Sequence, residues 1–89
     1  MSYSYPVERE WLFTEEGSTS FVKARDAALK MLADSGAFLA FRPLKDVSYG
    51  DTWKGLAILD RMVERGDIRE VTGPSAWGQE RVFVAARKP

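Results

Sequence analysis

Residues Asp51–Val71 read "DTWKGLAILDRMVERGDIREV", and the fold turns on whether this run is one helix feeding a strand. Asp51 is a good N-cap, because its carboxylate can accept an orphan backbone N–H. Gly66 stands where a helix commonly ends in a left-handed turn. At roughly 100° per residue, with Trp53 set at zero, Ile58, Met62, Gly55, Leu59, Val63 and Leu56 fall between about 140° and about 300°. That arc is a core face. The opposite arc carries Asp60, Glu64, Arg61, Lys54 and Arg65, with Trp53 and Ala57 inside it. The pattern predicts a helix over Asp51–Arg65. "DIREVT" (Asp67–Thr72) then reads as a strand through Ile68 and Val71, "GPSAWGQ" (Gly73–Gln79) as a turn-rich loop, and "ERVFVAA" (Glu80–Ala86) as a β-branched and aromatic return strand.

Upstream, "VEREWLFT" (Val7–Thr14) alternates in part, with Val7, Trp11 and Phe13 on one face, and predicts a short N-terminal strand. "EEGSTS" breaks it. Gly17 is read as a turn and Ser18, Thr19 or Ser20 as the cap of a helix from about Thr19 to Asp34, whose apolar stripe is Phe21, Ala24, Ala28, Met31 and Leu32. Gly36 ends it. "AFLAF" (Ala37–Phe41) is an apolar piece too short to assign by period, and Pro43 opens a short second helix over Pro43–Val47.

The 89 residues suit a single domain spanning 1–89, with 1–6 as a flexible leader and 87–89 as a tail. A hydrophobic content of 45% is enough for a real core and argues against disorder. No apolar run approaches the roughly 18 residues that a membrane span requires, and the N-terminus lacks the pattern of a signal peptide. With no cysteine, neither disulfides nor thiolate metal sites are available, which fits a cytoplasmic location. Histidine is absent too. The commonest general base, the best nucleophile and the usual zinc ligands are therefore all missing, so the expectation is a non-enzyme with no cofactor and no metal.

The order of elements, and the residues "LKDVSYGDTWKGLAILDRMVERGDIREV" (Leu44–Val71), resemble winged helix-turn-helix domains. The most telling piece is "LDRMVERGDI" (Leu59–Ile68), which is similar to the end of the recognition helix in MarR-type regulators. The likeness covers about Leu44–Ala85. It implies an α+β fold of three helices with a C-terminal β-hairpin wing. It also implies a transcription-regulating domain whose helix Asp51–Arg65 enters the major groove of double-stranded DNA, braced by Pro43–Val47, with Gly73–Gln79 as the wing tip.

On that reading Thr52 and Lys54 reach bases, with Arg61 the second cation of the helix, and Arg42, Lys45 and Arg81 hold phosphates. The charge balance pulls the other way. Thirteen basic and thirteen acidic side chains cancel, although residues 1–16 carry a net −3 and the rest +3. The start of the helix offers one cation and the wing tip none, whereas both carry a tryptophan. The alternative is a protein-interaction module of the same fold, contacting its partner through Trp53, Ala57 and Trp77, aromatics of the kind that also suggest a homodimer.

Overall fold

The computed structural model describes residues 3–73 and 80–86. The chain forms a short helix α1 (Tyr5–Glu8) running into a 3-10 turn (Arg9–Phe13), a long helix α2 (Glu15–Ser35) and strand β1 (Ala37–Leu39). A second 3-10 turn (Arg42–Leu44), helix α3 (Thr52–Arg65) and strands β2 (Ile68–Glu70) and β3 (Val82–Ala85) follow. The three strands form one antiparallel sheet in the order β1-β3-β2. Phe38 lies opposite Phe83 in the β1–β3 pair, and Glu70 lies opposite Phe83 in the β2–β3 pair. This is the small α+β architecture expected, with the layout of a winged helix.

The central stretch behaves as its residues dictate. The Asp51 side chain accepts from the Lys54 backbone N–H at 2.9 Å, and Gly66, at φ 82°, closes α3 in the left-handed region. Ile68 at the start of β2 is buried, as are Phe38 of β1 and Phe83 of β3, whose rings stack at 5.5 Å. Around them the core gathers Leu12, Phe21, Ala24, Ala28, Leu32, Leu44 and the apolar face of α3.

Three expectations differ from the structure. Val7–Thr14 is no strand: it is helical, then 3-10, and none of its residues pairs in the sheet. Pro6, preset for a first helical turn, sits inside α1. The residues that alternate are also not the ones buried. Val7 and Phe13 are exposed while Leu12 enters the core.

The second difference concerns α2, which begins four residues before the expected start. Its cap is Thr14, whose hydroxyl accepts from the Gly17 N–H at 3.0 Å. Glu15 and Glu16 then occupy the first turn, where carboxylates favour the helix dipole. Gly17 is therefore no turn residue but a contact point. A Cβ there would lie 1.9 Å from the carbonyl oxygen of Trp11. Third, the expected helix Pro43–Val47 is a single 3-10 turn. The expected wing tip, including Trp77, and the tail at 87–89 lie outside the described residues. Among the described residues, no helix is long and apolar enough to cross a membrane.

Candidate functional site

Helix α3 is where a winged helix would meet its ligand, so the state of its outward arc decides what the domain can do. Burial on α3 is not confined to one side. Gly55, Leu56, Ala57, Ile58, Leu59 and Met62 are all buried, and Ala57 has no exposed surface. Trp53, Lys54, Asp60 and Arg61 are partly covered, while Thr52, Val63, Glu64 and Arg65 stay exposed, so the outward arc is shielded in part.

The cover is the N-terminal segment, since both α1 and the Arg9–Phe13 turn pack on α3. The Tyr3 hydroxyl donates to Asp60 at 2.7 Å and the Tyr5 hydroxyl donates to Glu64 at 2.7 Å. Glu64 also accepts from Arg9 at 3.1 Å and from Arg61 at 2.7 Å. The guanidinium groups of Arg9 and Arg61 both lie over the Phe13 ring, at 4.8 and 5.3 Å. Lys54 places its ammonium 5.4 Å from the centre of the Trp11 ring. Tyr3, Tyr5 and Trp11 rest against the core as well. Asp60, Glu64, Arg61 and Lys54 of the outer arc thus contact the chain's own residues 3–13, while Arg65 turns to Asp67 and the Phe21 ring.

The electrostatics follow from this packing. The Tyr5 hydrogen bond, with those of Arg61 and Arg9, holds the Glu64 carboxyl down at about 2. Burial, and then the bond to Glu64, push the Tyr5 phenol up to about 12. Burial and the bond to Asp60 likewise raise Tyr3 well above the ordinary tyrosine range. Both hydroxyls are therefore neutral donors at physiological pH.

Arg81 sits at a second junction. Its guanidinium reaches Asp60 of α3 at 2.6 Å and Glu70 of β2 at 2.8 and 3.0 Å, with only 14% of the side chain exposed. Burial alone would lower its pKa, but the two carboxylates raise it on balance. Asp60 thus accepts from both Tyr3 and Arg81, joining the N-terminal cover to the sheet.

The residues singled out from the sequence are therefore dispersed. Arg61 and Arg81 are held in ion pairs, and Lys54 is half-buried against Trp11. Thr52 is exposed in the first turn of α3. Trp53 is half-buried and packed on the core, and Ala57 is buried, so neither forms an open aromatic surface. Arg42 and Lys45 are brought together at the second 3-10 turn, exposed and lining the same shallow cleft beside Leu39 and Phe41. Among the described residues neither makes a salt bridge or a side-chain hydrogen bond.

What sequence reasoning missed is the cover itself: Tyr3, Tyr5, Arg9, Trp11 and Phe13. One signal for it was present. Ala57 and Trp53 stand inside an otherwise charged arc, and an apolar pair there asks for something to pack on it. Among the described residues, no group of acidic side chains is arranged to hold a metal ion. Comparison with protein-family models, curated proteins and solved structures found no match to this chain.

Proposed function

We propose that this domain is a non-catalytic protein-interaction module with a winged-helix layout, and that α3 is a structural helix rather than a reader of DNA. One observation carries the reading. The outward arc of α3, which a DNA-binding winged helix would lay in the major groove, is packed under residues 3–13 through Tyr3, Tyr5, Arg9, Trp11 and Phe13. Two of the cations expected to serve DNA, Arg61 and Arg81, are already neutralised by Glu64, Asp60 and Glu70. Affinity for a duplex grows with the number of phosphates a protein neutralises. A chain with zero net charge, whose Arg61 and Arg81 are held by its own carboxylates, has little to offer a polyanion.

The test is fluorescence anisotropy of a labelled random duplex titrated with the full chain at low and at moderate salt. The expected result is no saturable binding at either. A saturable isotherm whose affinity falls by roughly 0.9 log unit per contacted phosphate for each log unit of salt would overturn the reading and restore DNA as the ligand.

A further inference from the structure

The sheet ends on one side at β1, and the geometry of that edge is set by its partner. Ala40 donates its N–H to the Arg81 carbonyl at 2.9 Å, in register with the pairing of Phe38 opposite Phe83. In an antiparallel ladder the bonded pairs alternate, so Phe38 and Ala40 bond inward to β3. The N–H and C=O groups of Ala37 and Leu39 therefore point to the open edge. Leu39 is also 44% exposed, a large apolar side chain standing beside backbone that is unpaired among the described residues.

Two shallow clefts flank Leu39. One is lined by Met31, Ser35, Ala37, Phe38, Leu39 and Arg42. The other is lined by Leu39, Phe41, Arg42 and Lys45. Neither contains a carboxylate. Both hold Arg42, which with Lys45 lacks an ion-pair partner among the described residues.

We infer that the β1 edge is the docking surface of this module, and that its occupant is an extended acidic segment of another protein that adds to the sheet as a fourth strand. This rests on the interaction reading above and names its partner by chemistry. Backbone bonds to Ala37 and Leu39 supply the register, as in strand addition generally. Side chains along an added strand alternate between faces. Apolar residues can then pack beside Met31 on the core side while carboxylates on the other face reach Arg42 and Lys45 beside Leu39. Charge favours this occupant, because on the Leu39 side Arg42 and Lys45 line clefts without a carboxylate among the described residues, Asp26 and Asp46 lying in the neighbouring cleft.

The experiment is an amide-resolved NMR titration of the full chain with a short capped peptide alternating glutamate and valine. Controls are the same peptide with lysine for glutamate and a random DNA duplex. The acidic peptide should shift the Ala37, Phe38 and Leu39 amides and slow exchange of the Leu39 N–H, while the lysine peptide leaves them in place. The double variant R42E/K45E alters only exposed side chains, and should keep the spectrum of the folded chain while weakening the acidic peptide about tenfold or more. Absence of any shift at β1, or equal affinity for the variant, would overturn the inference. Peptide shifts confined to other elements would sink the edge and leave the interaction module standing. A β1 edge already protected in a dimer would make a second copy the occupant and overturn the acidic partner. Salt-dependent shifts with the duplex would defeat both readings.

Discussion

Replacing Arg81 separates its structural role from a phosphate-binding one. In the structure its guanidinium is the shared donor between Asp60 and Glu70, at 2.6, 2.8 and 3.0 Å. Arg81→Ala leaves both carboxylates without their cation, although Asp60 keeps the Tyr3 hydroxyl and Glu70 that of Thr72. Removing one member of a buried ion pair costs roughly 3–5 kcal/mol. Here the acids are still 20% and 25% exposed, so water recovers part of that loss. About 2–3 kcal/mol is the expected destabilisation.

Urea denaturation followed by tryptophan fluorescence reads it directly. With m of about 1 kcal/mol/M for a domain this small, the midpoint should fall by roughly 2–3 M at unchanged m. The triple variant that also carries Asp60→Asn and Glu70→Gln removes the stranded charges and should recover a large part of the loss. A midpoint shift corresponding to less than about 0.5 kcal/mol, the size of an ordinary surface effect, would refute the idea that Arg81 locks α3 to the sheet. Its phosphate-binding role would then be open again.

Two further outcomes follow from the packing. Gly17→Ala puts a methyl group 1.9 Å from the Trp11 carbonyl oxygen, a backbone atom, so α2 and the Arg9–Phe13 turn must separate. The expected loss is about 3 kcal/mol or more, at the upper end of overpacking costs, and a melting curve unchanged from the parent would contradict the contact. The pH dependence has a definite sign. Glu64 is depressed to about 2, so its contribution is complete above the ordinary carboxylate pKa and is lost as pH falls from about 4.5 through about 2. Tyr5 is raised to about 12, so its contribution is complete below about 10 and is lost as pH rises through about 12. In Tyr5→Phe the alkaline loss should shrink. An identical alkaline limb in this variant would count against the Tyr5–Glu64 bond.

How much of this was legible in the sequence depends on the range of the interactions involved. Helix α3, its Asp51 cap, its Gly66 stop, and strands β2 and β3 rest on local pattern, and the residues point to them directly. Thr14 as the cap of α2 was obscured by the later serines and threonine at 18–20, equally good caps by type. Gly17 looked like a turn because the Trp11 carbonyl that forbids a side chain there is a tertiary neighbour. The partial alternation of Val7–Thr14 suggested a strand, but an alternating segment needs a partner strand, and the sheet forms without it. Of the candidate residues, Arg42 and Lys45 are exposed and make no salt bridge among the described residues. The ties of Arg81 to Asp60 and Glu70, and of Glu64 to Tyr5 and Arg9, join distant parts of the chain, and no local pattern announces them.

The central claim is that residues 3–13 cover the outward arc of α3, and nuclear Overhauser contacts test it most directly. At neutral pH cross-peaks are expected from the Tyr3 and Tyr5 rings to the side chains of Asp60 and Glu64, and from the Trp11 indole to Lys54. Narrow, averaged signals for residues 3–9 with none of these cross-peaks would contradict it, leaving the α3 arc open to solvent and to a DNA groove.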